Sequence, residues 1–161
     1  MIRDVRVPAE VPAVRALFDE YAVSLDVDLS FQDFARELAE LPGEYSAPRG
    51  CLLVADDGDI VGCVALRALA GGDEAQGEIK RLYLRPVARG RGIGRELALT
   101  VITRARAIGY RSLKLDTLAS MHSARALYSS LGFRECAPYY RNPLPGTSYM
   151  ELALVQGPLT V

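Results

Sequence analysis

The chain has 161 residues, of which 50% are hydrophobic, so it has the length of one domain and is not a disordered polar segment. Its formal net charge of −1 excludes the strongly basic surface that general nucleic-acid binding requires. One His and three Cys (Cys51, Cys63, Cys136) without a CxxC pair argue against a metal site and indicate reduced thiols. With no signal peptide or long apolar run, we expect a cytoplasmic protein that binds neither nucleic acid nor a membrane.

The first forty residues carry the patterns of one strand and two helices. Residues 2–7 alternate between apolar and polar side chains, as in a short edge strand. Apolar residues at three- and four-residue steps predict a helix over 11–25 and a second one over 34–41. Ser30–Asp33 resembles a capping box before the second helix, and Pro42-Gly43 is expected to end it.

A hairpin and a third strand follow in the middle of the chain. Residues 51–56 form an apolar run, and Asp57-Gly58 is a strong hairpin turn signal. Residues 60–69 supply the partner strand of this hairpin. Residues 77–84 then alternate as a further strand, which Pro86 ends.

The remaining elements alternate between helix and strand. They begin with a glycine-rich loop at 89–94 and a long helix at 97–108. A strand at 111–117, a helix at 122–131 and two strands at 133–140 and 147–155 complete the chain. This order predicts an α/β protein of the α+β type, with one mixed sheet covered by helices on both faces. We expect a single domain over residues 1–161.

The glycine-rich loop, Arg89-Gly90-Arg91-Gly92-Ile93-Gly94, has the features of an anion site. Its glycines let the backbone approach another group closely, and the first amides of the following helix have no partner within the helix. With the helix dipole, these amides suit a phosphate. The basic residues around the loop meet no acid between Glu78 and Glu96, and they are Lys80, Arg81, Arg85, Arg89, Arg91 and Arg95. The alternative is a tight turn with solvated arginines.

Two segments together resemble the GCN5-related N-acetyltransferase (GNAT) family. Residues 89–94 fit its Q/R-x-x-G-x-G/A signature, and residues 124–133 are similar to its A-x-x-L-Y-x-x-L-G-F segment. The resemblance implies the acyl-CoA N-acyltransferase fold, with a single, mostly antiparallel sheet splayed at its centre between the strands at 78–84 and 111–117. It also implies acetyl-CoA as a co-substrate in the wedge between these strands, and no metal.

The resemblance further implies which residues hold acetyl-CoA. The pantetheine arm is expected to pair with the backbone of Leu82, Tyr83 and Leu84. The pyrophosphate is expected to rest on the loop residues Arg89, Gly90, Arg91, Gly92, Ile93, Gly94 and Arg95. Met121 stands where the family often has Asn, so one polar contact to coenzyme A is expected to be lost unless Ser120 or Ser123 replaces it.

Attack of a neutral amine on a thioester needs a base, an oxyanion donor and an acid. Glu78 matches the position where many family members carry a glutamate base, and the alternative is an ion-pair partner of a nearby arginine. Tyr128 matches the tyrosine that protonates the departing thiolate, and the alternative is a core tyrosine. The expected oxyanion donor is a backbone amide near residues 82–84. The only histidine, His122, stands at a helix start and is expected to be solvated.

The sequence says less about the acceptor of the acetyl group than about acetyl-CoA, its donor. Eight acids and one base lie between Asp19 and Glu44, which favours a small-molecule amine unless these acids are only solvated helix surface. Arg81, Tyr140 and Arg141 would instead hold the carboxylate of an amino acid. Further alternatives are a protein N-terminus, another acyl-CoA, or a non-catalytic acyl-CoA-binding domain. An unpaired edge strand in the C-terminal half would allow a homodimer.

Overall fold

The computed structural model describes residues 1–154, and its elements follow the predicted order. The strands are β1 (Ile2–Asp4), β2 (Cys51–Asp56), β3 (Ile60–Ala68), β4 (Gln76–Leu84), β5 (Ser112–Thr117), β6 (Arg134–Cys136) and β7 (Ser148–Ala153). The helices are α1 (Val11–Leu25), α2 (Phe34–Glu40), α3 (Ile93–Ile108) and α4 (His122–Ser130). Short 3-10 turns occupy Ser30–Gln32 and Pro86–Ala88. Val155, the last residue of the strand predicted at 147–155, lies outside the described residues.

The strands form one mixed sheet in the order β1-β2-β3-β4-β5-β7-β6. Only β4 and β5 run parallel among the described strands, because α3 carries the chain across the sheet between them. The other neighbouring strands are antiparallel. The expected mixed, mostly antiparallel sheet is therefore confirmed, and β1 and β6 are its edges.

Helices cover both faces of the sheet. On one face, Leu97 of α3 packs in a cluster that includes Leu53 of β2. On the other face, Phe18 of α1 belongs to a second cluster, which includes Val54 of β2. Neighbouring residues of β2 thus enter two different cores. This explains why residues 51–55 are all apolar instead of alternating with polar side chains.

Two local predictions were wrong. Ser30–Asp33 forms no capping box, because Asp33 adopts a left-handed φ of 57° and no side chain caps α2. The Asp28 carboxylate accepts a hydrogen bond from the Ser30 amide instead, at 2.8 Å. The strand predicted at 133–140 ends at Cys136, shortly before Pro138, which has no amide to donate to a ladder.

The sheet opens at its centre as the family resemblance implies. The pairing of β4 with β5 joins residues 76–78 of β4 to residues 112–114 of β5. No described pair joins residues 79–84 to β5. On its other side β4 carries a bulge, because the register with β3 shifts between Cys63 and Ala65. Arg81 lies in this bulge with a left-handed φ of 60°.

An ion pair ties the bulge to α2. Arg81 is 3% exposed. Its guanidinium donates to both carboxylate oxygens of Glu37, at 2.8 and 3.1 Å. The Tyr45 hydroxyl also donates to Glu37, at 3.0 Å. A buried cation is costly unless it is paired, so this contact links the position of α2 to the irregular part of β4.

Replacing Glu37 tests this link. We expect Glu37→Gln to lower the free energy of unfolding by about 3 kcal/mol, because a buried guanidinium loses its counter-charge. The matched control is Glu40→Gln, since Glu40 pairs with Arg36 at 3.0 Å on the exposed side of the same helix. This control should change stability by less than about 0.5 kcal/mol. Urea denaturation measures both variants, and equal losses would contradict the role assigned to Glu37.

Candidate active site

The glycine-rich loop leads into α3 with open space beside its backbone. Gly90 and Gly92 adopt left-handed φ values of 77° and 80°. Gly92 is the N-cap residue of α3, and no side chain caps this helix. A Cβ built at Gly90 or Gly92 would meet no atom within 4 Å. Amides of the first turn of α3 therefore remain available, at the positive end of the helix dipole, for an anion such as a diphosphate.

The basic residues around this loop do not form an unopposed positive field, which corrects the sequence-based expectation. Four of them pair with acids that are distant in sequence, as Lys80–Asp116, Arg81–Glu37, Arg85–Glu20 and Arg91–Asp57. Arg89 donates to the Leu84 carbonyl at 3.0 Å, and Arg95 donates to the Ser130 hydroxyl at 3.1 Å. Among residues 1–154 neither of these two arginines pairs with an acid. The positive potential at the loop therefore comes from Arg89, Arg95 and the helix amides.

A wedge-shaped cavity, which we call the wedge, lies where β4 and β5 separate. Residues on its wall include Lys80, Arg81 and Leu82 of β4, Leu115 and Asp116 of β5, Met121 and Tyr128. Tyr128 is 4% exposed. Burial raises the pKa of the Tyr128 phenol far above its ordinary value. Its hydroxyl is therefore protonated at neutral pH, and the residue lies on the wall of the wedge.

The chain turn after α4 fixes the ring of Tyr128. Gly132 adopts a left-handed φ of 99°, which favours glycine. The turn brings the Phe133 amide to the Tyr128 carbonyl at 3.0 Å. The two rings then meet edge to face, with centroids 5.3 Å apart. The L-G-F part of the sequence motif thus packs the tyrosine in place.

Glu78 lies at the point where the β4–β5 pairing ends. It is 2% exposed. One carboxylate oxygen accepts a hydrogen bond from Arg67 Nε at 2.9 Å, and the other accepts from the Tyr139 hydroxyl at 2.7 Å. The ion pair that the sequence left as an alternative for Glu78 is therefore present. Each carboxylate oxygen still has a second lone pair, so Glu78 retains capacity to accept a proton.

A second cavity, of about 280 Å³, adjoins Glu78. We call it the side pocket, and its wall comprises Phe31, Gln32, Asp33, Arg67, Leu69, Ala70, Glu78, Lys80, Tyr139 and Tyr140. Gln32 and Lys80 line both cavities. The segment between β6 and β7 therefore reaches a cavity through Tyr139 and Tyr140, whereas Arg141 is exposed. Arg81 is occupied by Glu37, so it does not offer the free cation that we expected for an acceptor carboxylate.

The sequence did not predict that Lys80 is buried in the site or that Asp116 lies beside it. Lys80 is 6% exposed. Its ammonium lies 3.6 Å from the Asp116 carboxylate and donates to the Gln32 side-chain carbonyl at 3.3 Å. Burial lowers the pKa of Lys80, and the charge of Asp116 opposes that shift. The available signal was the alternation of β4, which puts Glu78 and Lys80 on one face of the strand.

The other residues singled out from the sequence lie at the start of α4. Met121 accepts a hydrogen bond from the Leu118 amide through its sulfur, at 3.2 Å. His122 is exposed at the start of α4, and Ser120 and Ser123 are exposed beside it. Within residues 1–154 no three side chains that could bind a metal lie together. No helix in that range is long and apolar enough to cross a membrane.

Known proteins resemble this chain in sequence and in fold. The model of the acetyltransferase (GNAT) family matches residues 12–133. An uncharacterized N-acetyltransferase of Schizosaccharomyces pombe is 39% identical, over 95% of this chain and 94% of its own length. A Klebsiella pneumoniae structure described as an acyl-CoA N-acyltransferase superposes with a TM-score of 0.70 at 30% identity, covering 96% of this chain and 97% of its own. A Salmonella typhimurium structure described as an acetyltransferase with its cofactor acetyl-CoA has a TM-score of 0.70 at 20% identity, covering 98% and 95% of the two chains.

The open space at Gly92 generates a binding prediction. We expect Gly92→Ala to weaken coenzyme A binding at least about tenfold, because the added Cβ occupies the space beside amides that a phosphate must approach. The matched control is Gly71→Ala in the turn before β4, where φ is 73° and a Cβ also meets nothing within 4 Å. Both variants carry the same kind of backbone strain, but Gly71 lies at the opposite end of β4 from the loop.

Isothermal titration calorimetry measures the affinity of both variants, and thermal unfolding measures their stability. We expect similar losses of stability and a loss of affinity in Gly92→Ala alone. Unchanged affinity in Gly92→Ala would place the phosphates elsewhere on the molecule.

Proposed function

Because the chain belongs to the acetyltransferase (GNAT) family, we propose that it transfers the acetyl group of acetyl-CoA to the primary amine of a small molecule. Family membership makes the chain an acetyl-CoA-dependent N-acetyltransferase, not the non-catalytic acyl-CoA-binding domain that the sequence left open. The observation that supports a small acceptor is the side pocket, whose volume is about 280 Å³. That size is near the lower end of the range of about 300–1,000 Å³ found for small-molecule sites.

The residues present fit acetyl-CoA in two places, along the end of β4 and at the glycine-rich loop. Leu82, Tyr83 and Leu84 have no described backbone partner on β5, so those polar groups of this segment that are bonded neither to β3 nor to Arg89 are available to the pantetheine amides. The loop from Arg89 to Arg95 offers free amides and open space to the pyrophosphate. The thioester supplies an acetyl group joined to a good leaving group.

We assign the proton transfers to two side chains. Glu78 accepts a proton from the acceptor ammonium, directly or through a water, which leaves a neutral amine. The amine nitrogen forms a bond to the acetyl carbon while the carbon–sulfur bond breaks, and a backbone amide near Leu82 donates to the developing oxyanion. Tyr128 gives its proton to the departing thiolate sulfur, and the second proton lost by the nitrogen as the amide forms restores the Tyr128 phenol.

An acceptor screen tests the proposed function. Small amines and amino acids are supplied one at a time with acetyl-CoA, and the free thiol of coenzyme A is measured against a reaction without acceptor. Thiol release with a small amine supports the proposal. Release with peptides alone would replace the small acceptor by a protein N-terminus.

Replacing the Tyr128 hydroxyl tests the proposed acid. We expect Tyr128→Phe to lower kcat about 100-fold without changing coenzyme A affinity, because the thiolate loses its proton donor while the ring packing remains. The control is Tyr110→Phe, since Tyr110 is buried and donates its hydroxyl to the Arg49 carbonyl at 2.5 Å, outside both cavities. That variant should lose some stability and keep its kcat. An unchanged kcat in Tyr128→Phe would restrict Tyr128 to packing.

The pH dependence of Glu78→Gln tests the proposed base. Glutamine keeps a side-chain carbonyl that can accept from Arg67, so the strand should stay in place. We expect kcat/KM to fall at least about 100-fold at neutral pH, where the acceptor amine is mostly protonated. The difference in kcat/KM between Glu78→Gln and the unaltered protein should shrink as the pH rises toward the pKa of the amine. More of the amine is then already deprotonated in solution and needs no base in the site. A constant deficit across the pH range would indicate that Glu78 only positions its neighbours.

A further inference from the structure

We propose that the acceptor is an α-amino acid with an apolar side chain, and that its carboxylate binds the Lys80 ammonium where the wedge meets the side pocket. This inference rests on the proposed function and names the class of acceptor. Three observations support it. The buried Lys80 ammonium lacks a full set of hydrogen-bond partners, Lys80 lies between the wedge and the side pocket, and part of the wall of the side pocket is apolar.

The ammonium of Lys80 is buried without a full set of partners. An ammonium has three donors. The bond to Gln32, at 3.3 Å, is long, and the Asp116 oxygen at 3.6 Å is beyond hydrogen-bond distance. Asp116 is held in place because its other oxygen accepts from the Tyr140 hydroxyl. Donors of Lys80 are therefore free to bind an anionic oxygen that enters the cavities, and such an oxygen would offset the cost of burying the charge.

The position of Lys80 limits the distance between the carboxylate and the amine of the acceptor. Lys80 lines the wedge together with Leu82 and Tyr128, and it lines the side pocket together with Glu78. Glu78 and Lys80 point to the same face of β4, with their Cα atoms about 7 Å apart. A molecule whose carboxylate meets Lys80 must therefore carry its amine close by to reach Glu78 and the thioester. A single carbon separates the two groups in an α-amino acid.

The wall of the side pocket favours an apolar side chain on the acceptor. Three apolar residues, Phe31, Leu69 and Ala70, form part of it. The other cation on this wall, Arg67, is already bound by two carboxylates, because it donates to Glu78 and to Glu44 at 2.9 Å each. Arg67 is therefore a poor partner for an acidic side chain of the acceptor.

The first experiment compares acceptors on the unaltered protein. L-Leucine, L-leucinamide and 3-methylbutylamine share one side chain but differ at the carboxylate, and release of coenzyme A thiol gives kcat/KM for each. We expect leucine to exceed both analogues by at least about tenfold, the effect of one hydrogen bond to a charged group. Equal values for leucine and 3-methylbutylamine would overturn the carboxylate contact while leaving the proposed function intact.

Other outcomes of this comparison are equally decisive. A preference for leucinamide or for a dipeptide would indicate a peptide N-terminus in place of a free amino acid. L-Aspartate as a better acceptor than leucine would overturn the apolar side chain. Absence of thiol release with every acceptor would overturn the proposed function and this inference together.

The second experiment assigns the contact to Lys80. We expect Lys80→Met to raise the KM for leucine at least about tenfold and to change the KM for 3-methylbutylamine less than about twofold. The matched control is Lys114→Met, which removes the only other lysine of the chain. Lys114 lies on β5 with its ammonium 5.7 Å from the centre of the Tyr139 ring, outside the wall of both cavities.

The control variant should keep the preference for leucine. An equal rise of KM for both acceptors in Lys80→Met would assign Lys80 to structure alone and overturn the contact. Where Lys80→Met does not fold, the acceptor comparison on the unaltered protein decides the question by itself.

Discussion

The separation of β4 from β5 after Glu78 is the constraint on which the candidate site depends. A parallel pair of strands would otherwise continue its ladder and fill the wedge with its own hydrogen bonds. Here the described pairs between β4 and β5 stop after three residues of β4. On the other side of β4, the bulge at Arg81 shifts the register with β3. Backbone groups that a sheet would satisfy are left for a ligand with amides of its own.

Paired charges hold this opening in place. The bulge carries a buried arginine, and the carboxylate of Glu37 from α2 pairs with it. On the neighbouring position Lys80 faces Asp116 across the gap, at 3.6 Å. Each contact joins β4 to an element that comes from another part of the chain. Glu37, Asp116 and the partners of Arg85 and Arg91 neutralise basic residues near the loop. The positive potential that attracts phosphate is therefore confined to the start of α3.

The sequence predicted the parts of the molecule that are coded locally. Apolar spacing identified the helices, and the two motifs located the loop at 89–94 and the segment at 124–133, because the glycine turns that define them lie within a few residues. The charge pairs could not be predicted, since Lys80 and Asp116 lie on different strands and meet only after the sheet has formed. The missing capping box had a local cause, because the Ser30 amide donates to Asp28 and not to Asp33.

The same pairing bears on how an amine becomes reactive in this site. A lone buried carboxylate would stabilise an ammonium beside it and so hold the acceptor in its unreactive form. Glu78 is not alone, because Arg67 bonds one of its oxygens at 2.9 Å and Lys80 follows it on the same face of β4. In the proposed mechanism, these two cations would favour the neutral form of an amine bound beside Glu78, and Glu78 would take its proton. Lys80, the cation that we propose to bind the substrate carboxylate, would then also help to free the amine for attack.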